Sequence, residues 1–86
     1  MTFFPAIIEG PGSDGGFAVD VVGTPVIGQG GSAVAAAENA AVILQEVIDD
    51  CFADGEPIPE PGAVTDADLT RGVLAMLNAS IPAQAA

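Results

Sequence analysis

The first third of the chain alternates between short apolar runs and turn-forming residues. Residues 3–9 and 17–22 are rich in β-forming side chains, and the glycine-rich segment 10–16 separates them. This arrangement predicts a β-hairpin. After a Gly-Thr-Pro break at 23–25, the short apolar run 26–29 predicts a third strand. The pattern therefore predicts a three-stranded antiparallel sheet.

A long alanine-rich segment follows and predicts a helix from Ser32 to Ala53. The Ser32 hydroxyl can accept a hydrogen bond from a first-turn backbone N–H, and Asp54-Gly55 ends the segment. Apolar residues recur at spacings of three and four, which predicts a stripe that packs on the sheet. The stripe consists of Val34, Ala37, Ala41, Leu44, Ile48 and Cys51.

The last third is less regular. The three prolines of segment 56–61 predict an extended, polyproline-like stretch that runs along the outside of the helix. The apolar residues between 69 and 82 suit a helix, whereas 72–77 could equally form a buried strand, so both interpretations stay open. Residues 83–86 are expected to form a disordered tail. A chain of 86 residues supports a single domain spanning 1–86.

Charge narrows the possible partners. Twelve carboxylates face a single cation, Arg71, and the formal net charge is −11. Nucleic acids and anionic membranes are not expected as direct partners, because binding to phosphate relies on several Lys and Arg residues. A basic protein is the natural complement of such a surface. Acidity that serves only solubility is the alternative interpretation.

The acidic residues concentrate where the predicted helix ends. Carboxylates at a helix C-terminus oppose the macrodipole, and each costs about 0.3 to 1 kcal/mol when exposed. The stability of the free protein does not explain why these acids are there. A basic partner could offset the free energy that they cost. The alternative is neutral sequence drift on a surface that tolerates any residue. The predicted partner-binding residues are Glu46, Asp49, Asp50, Asp54, Glu56 and Glu60.

Catalysis lacks the usual side chains. The sequence contains no His, no Lys and no Tyr, and its single cysteine, Cys51, provides neither a disulfide nor a cysteine metal site. We therefore expect a protein that is not an enzyme and that binds neither a metal nor a cofactor. Segment 28–33 superficially resembles a dinucleotide-binding loop, but the strand before it belongs to a hairpin and not to a parallel βαβ unit.

The sequence shows no targeting or membrane signal. The N-terminus has no basic region, and no apolar run approaches the roughly 20 residues of a membrane span. A cytoplasmic location is therefore expected.

Apolar residues outside the predicted stripe indicate a surface for self-association. Val42 and Ile43 fall on or near the polar side of the helix. A small sheet with open edges also gains from pairing with another sheet. The predicted interface, in a dimer or a tetramer, consists of Val42, Ile43, Val73, Ala75 and Leu77.

Five segments, in this order, resemble the HicB-type antitoxin family. They are Phe4-Pro5-Ala6-Ile7-Ile8-Glu9, Asp14-Gly15-Gly16-Phe17, Gln29-Gly30, Ala37-Glu38-Asn39-Ala40 and Asp54-Gly55-Glu56-Pro57-Ile58-Pro59-Glu60-Pro61. The resemblance covers roughly residues 3–61. It implies an α+β fold of truncated RNase H-like type, in which a three-stranded sheet carries one long helix and a fourth strand follows the proline-rich segment. Segment 72–77 would be that strand.

The resemblance also implies a function. Family members bind a small basic HicA-type toxin, an mRNA-cleaving RNase, and mask its active site without catalysing a reaction themselves. Complete members append a DNA-binding domain, and because none is present in these 86 residues, operator binding by this chain alone is not expected. The alternative function is an orphan HicB-like structural module that acts only as a homo-oligomer.

Overall fold

The computed structural model describes residues 2–82, and the predicted tail at 83–86 lies outside the described residues. The described chain has α+β architecture with four strands, one long helix and one short helix. In chain order these are β1 (Thr2–Glu9), β2 (Phe17–Val21), β3 (Ile27–Gly30), α1 (Ala33–Asp54), α2 (Asp66–Arg71) and β4 (Val73–Ala79). The predicted β-β-β-α-β order is confirmed, with α2 inserted before the last strand.

The strands form one antiparallel sheet in the order β3-β2-β1-β4. β1 is central and pairs with β4 from Thr2 opposite Ala79 to Ile8 opposite Val73. Segment 69–82 was predicted as either a helix or a strand, and each prediction is correct for one part of the segment. A helix ends at Arg71, and a strand begins two residues later.

Helix α1 begins and ends where the sequence predicts. The Ser32 hydroxyl accepts a hydrogen bond from the Ala35 N–H at 3.0 Å, and Gly55 adopts φ 71°, a left-handed conformation that favours glycine. The buried positions of the helix follow a spacing of four residues and are Ala36, Ala40, Leu44 and Ile48. The predicted stripe was wrong at its start, because Val34 is 68% exposed.

Glycines in β3 explain why alanines occupy the buried start of α1. A Cβ atom built on Gly28 would lie 2.5 Å from the Ala40 nitrogen, and one on Gly30 would lie 2.5 Å from the Ala36 nitrogen. The helix backbone therefore rests directly on the strand, and only a small side chain fits between them. These glycines serve close packing, and β3 runs antiparallel to β2, unlike the strand of a dinucleotide-binding unit.

Helix α1 covers one face of the sheet, and a later segment covers part of the other face. Val19 and Val21 belong to the core beneath α1, so Asp20 between them points to the opposite face. There, Gly62 donates a hydrogen bond to the Val22 carbonyl at 3.1 Å, and Arg71 binds Asp20. Segment 62–71, which contains α2, therefore crosses the second face of the sheet.

Candidate functional site

The C-terminal end of α1 and the proline-rich segment after it form a continuous acidic surface, here called the acidic end. Its members are the predicted partner-binding residues, all of them exposed: Glu46, Asp49, Asp50, Asp54, Glu56 and Glu60. They are half of the twelve carboxylates in the sequence, and no Lys or Arg lies between Glu46 and Glu60. The six therefore lie on one continuous stretch of chain, which runs from the second half of α1 into the proline-rich segment.

The acidic end extends past the part of α1 that packs on the sheet. Ile48 is the last buried residue of the helix, and none of the residues from Asp49 to Asp54 is buried. The last turn carries no basic side chain; backbone N–H groups of Gly55 and Glu56 bind the Phe52 and Cys51 carbonyls. The carboxylates at this end of α1 are repelled by the negative end of the helix dipole, and no cation on the same segment compensates this repulsion.

One residue joins the acidic end to the sheet. The Gln45 side-chain nitrogen donates to the Asp49 carboxylate at 3.1 Å and to the Ser80 carbonyl at 2.9 Å. The Gln45 side-chain oxygen accepts from the Ser80 N–H at 2.8 Å. The helix is therefore fixed to the residue that follows β4, and Asp49 is held in place beside it.

A mainly apolar cavity of about 410 Å³ lies within the proline-rich segment. It is lined by Pro57, Ile58, Pro59, Glu60, Pro61 and Ile81. Ile58 and Ile81 also pack against the core, so the cavity floor is anchored to the domain. Apolar walls beside exposed carboxylates suit a Lys or Arg side chain, which has an aliphatic stem and a charged tip.

A second acidic group, here called the Arg71 cluster, lies on the sheet face opposite α1. The Arg71 guanidinium donates to Glu9 at 3.2 Å, to Asp20 at 3.1 Å and to Asp68 at 3.0 Å. The sequence predicted no such cluster, because its members are up to 62 residues apart along the chain. The sequence contains twelve acidic residues, and their charge alone does not indicate which of them Arg71 binds.

Hydrogen bonds shift two pKa values in the Arg71 cluster. The backbone N–H of Thr65 and the guanidinium of Arg71 lower the pKa of Asp68 below its usual range. Hydrogen bonds to Asp68 and then to Asp20 raise the pKa of Arg71. The Thr65 hydroxyl accepts from the Asp68 N–H in return, which completes a capping box at the start of α2. The cluster therefore has a structural role, since it holds α2 on the sheet.

The residues predicted for self-association lie in different environments. Val42 on α1 and Val73 on β4 are 56% and 69% exposed, whereas Ile43 and Ala75 are half-buried. Leu77 is 7% exposed and belongs to the core. Its side chain therefore has almost no surface to offer a partner, and Leu74 and Met76, which the prediction omitted, are exposed instead.

No group of three or more His, Cys, Asp or Glu side chains within 2–82 is arranged to hold a metal ion. Cys51 is a partly buried free thiol. A wider depression of about 950 Å³ lies at the other end of the sheet, between the hairpin loop and the end of β3. Within 2–82, neither helix is long and apolar enough to cross a membrane.

Comparison with solved structures identifies the fold. The crystal structure of the Burkholderia pseudomallei antitoxin HicB superposes with a TM-score of 0.74 at 17% identity, over 91% of this chain and 63% of that chain. A chain of the HicA3 and HicB3 toxin-antitoxin complex superposes with a TM-score of 0.70 at 18% identity, over 92% of this chain and 99% of that one. This chain thus spans less than two thirds of the Burkholderia antitoxin.

The chain has the HicB-like fold that the sequence resemblance implied. No protein-family model matches the sequence, and no curated protein matches it either. At 17% and 18% sequence identity, the structural similarity establishes only the fold. The function has to be inferred from the residues of the candidate site.

Proposed function

We propose that this chain is an antitoxin module that binds a small basic RNase toxin of HicA type through the acidic end. It would act by docking alone, in the cytoplasm, and would cover the toxin's active site without catalysing a reaction. The observation that carries the proposal is the acidic end itself, where six exposed carboxylates lie on a segment without a cation.

Energetics support a partner at this surface. Acids at the end of α1 oppose the helix dipole, so in the free protein they reduce stability. A basic surface placed against them would reverse the sign of that contribution, and it would also speed association. The apolar cavity beside Glu60 adds a place where a basic side chain could insert.

The structural comparison supports the class of partner. One similar structure is an antitoxin, and the other is a toxin-antitoxin complex. The single Arg71 binds three carboxylates on the far face, so it does not reduce the charge of the acidic end.

Affinity capture from the native cells tests the proposal. The wild-type chain should recover a small basic protein, identified by mass spectrometry. The Asp50→Lys/Asp54→Lys variant should lose at least about tenfold in affinity for it. The matched control is Glu38→Lys/Asp66→Lys, which changes the net charge equally at exposed sites outside the acidic end and should bind normally.

The captured protein must then behave as a toxin. Its expression alone should arrest growth, and co-expression of the wild-type chain should restore growth. If the wild-type chain recovers no small basic protein, or if both double variants bind and rescue equally well, the acidic end is not the docking surface.

A further inference from the structure

The segment that crosses the second face of the sheet is held firmly at its two ends. This segment, here called the strap, comprises residues 63–71 and contains α2. Before it, the Gly62 N–H donates to the Val22 carbonyl at 3.1 Å. After it, Gly72 lies so close to the Ile8 carbonyl that a Cβ atom would not fit. Neither end of the strap can therefore move far without disturbing the sheet.

The middle of the strap is held much less firmly. Helix α2 has six residues and none of them is buried, and a helix of that length is not stable by itself. The capping-box bonds between Thr65 and Asp68 stay within the strap. Among the described residues, Arg71 alone connects the strap to the sheet through side-chain hydrogen bonds, which it donates to Glu9 and Asp20.

This connection is open to solvent. The side chains of Arg71, Glu9 and Asp20 are 36%, 42% and 36% exposed. Ion pairs at such sites contribute little stability, because water and salt screen them. Without the guanidinium, Asp68 on the strap would face two carboxylates on the sheet with no cation between them. One side chain therefore decides whether the strap is attracted to the sheet or repelled by it.

The strap covers the middle of a row of side chains that crosses the sheet. Each strand contributes one residue to this row, and in sheet order they are Ile27, Asp20, Ile7 and Leu74. Ile7 faces away from α1, because Ala6 beside it belongs to the core beneath that helix. Ile7 is fully buried, whereas Ile27 and Leu74 at the two ends of the row are 58% and 43% exposed. Helix α2 contacts β1, so the strap accounts for the burial of the middle of the row.

We infer that the strap is a lid and that Arg71 is its latch. When the bonds from Arg71 to Glu9 and Asp20 break, residues 63–71 leave the sheet while the four strands and α1 stay folded. Ile7 then becomes accessible, and the exposed apolar side chains on its two sides join into one surface. The closed strap hides this surface, and the open strap presents it.

The composition of the core favours a lid over a segment that unfolds only together with the domain. No residue of 63–71 belongs to the apolar cluster between α1 and the sheet, so that cluster keeps its contacts when the strap opens. A segment with few buried apolar contacts opens at a lower free energy than the whole domain. The strap shares no residue with the acidic end, so the inference goes beyond the proposed function and does not depend on it.

Thiol labelling on the two faces of one strand tests the inference. In a Cys51→Ser background, Ile7→Cys places a thiol beneath the strap and Ala6→Cys places one beneath α1, both at fully buried sites. Each rate of reaction with iodoacetamide is divided by that of the same variant in full denaturant. The ratio should be at least about tenfold higher for Ile7→Cys. It should also depend on urea less than about half as steeply, because an open strap exposes less surface than an unfolded domain.

The same assay tests the latch. Adding Arg71→Ala should speed the labelling of Ile7→Cys at least about threefold, because the strap loses its attachment to the sheet. The matched control Val42→Glu makes the same change in net charge at an exposed site on α1, and it should leave the rate unchanged. Circular dichroism checks that both variants remain folded.

Hydrogen exchange measured by mass spectrometry gives a second result without an introduced cysteine. In the wild-type chain, amides of 63–71 should exchange at least about tenfold faster than those of β1. Equal labelling rates and urea slopes for the two thiols, or equal protection of the strap and β1, would show that the strap opens only when the domain unfolds. An unchanged rate with Arg71→Ala, or an equal increase with Val42→Glu, would show that Arg71 is not the latch. Any of these results overturns the inference.

Discussion

The acidic end and the Arg71 cluster are both built from carboxylates, yet they differ in every physical respect that matters for function. In the Arg71 cluster, three acids from β1, β2 and α2 converge on one cation and are satisfied within the domain. At the acidic end, six acids lie on one exposed segment with no cation, and those in the last turns of α1 oppose the helix dipole. The first arrangement stabilises the fold, whereas the second lowers stability and suits binding.

Removal of the cation should have the largest effect on the free protein. Arg71→Ala leaves Glu9, Asp20 and Asp68 close together without compensation, and it releases α2 from the sheet. We expect a clear fall in the Tm measured by circular dichroism. Arg71→Lys keeps the charge but cannot reach three carboxylates with one planar group, so its Tm should be intermediate. An unchanged Tm for Arg71→Ala would show that the cluster has no structural role.

Neutralisation at the acidic end should have the opposite sign. Asp50→Asn and Asp54→Asn each remove an unfavourable interaction with the helix dipole, which should increase the free energy of unfolding by about 0.3 to 1 kcal/mol per site. Urea denaturation measures the gain, and Glu38→Gln, near the start of the same helix, serves as the control. A loss of stability in either variant would mean that the acids are satisfied in a way the structure does not contain.

The pH dependence of Asp68 should separate the two regions further. Its pKa is lowered in the folded state, so its contribution to stability is present above the unfolded value of about 3.8 and is lost as the pH falls through the folded value. The stability difference between wild type and Asp68→Asn should therefore stay constant from about pH 7 to about pH 5 and shrink as the pH falls below about 4. Urea denaturation across that range measures the difference, and a constant difference would contradict the assignment.

Salt should produce the smallest and most general effect. Raising the ionic strength from about 0.1 to about 1 M shortens the Debye length from about 10 to about 3 Å. Repulsion within the acidic end should weaken, so the Tm should rise, while affinity for a basic partner should fall. The Arg71→Ala variant, with its additional uncompensated acids, should gain more from salt than the wild type. An equal gain in both proteins would show that the cluster carries no excess repulsion.

Local signals predicted most of the fold correctly. The hairpin, the Ser32 cap and the end of the helix at Gly55 each depend on a few neighbouring residues. The face of α1 was wrong at Val34, because the choice between Val34 and Ala36 depends on glycines in a different element. Helix α2 begins at Asp66, three residues before the stretch predicted as helix or strand, and its residues are mostly polar, so apolar periodicity did not reveal it.

The two acidic regions show which sites sequence can locate. The acidic end occupies one continuous segment, so its position could be predicted before any fold was known. The Arg71 cluster could not be, since it forms only when β1, β2 and α2 come together. The cavity beside Glu60 is similar in this respect, because Ile81 reaches the proline-rich segment only after β4 has paired with β1.

The pairing of β1 with β4 has a consequence during synthesis of the chain. Of the four strands, β1 is made first and is central in the finished sheet, yet its partner, Val73–Ala79, is made after the other three. Until residue 79 emerges, one side of β1 has no neighbour, and the nascent chain presents it to any strand nearby. Folding of the sheet must therefore finish after translation of the whole domain, and the Gln45 bonds to Ser80 form only at that final step.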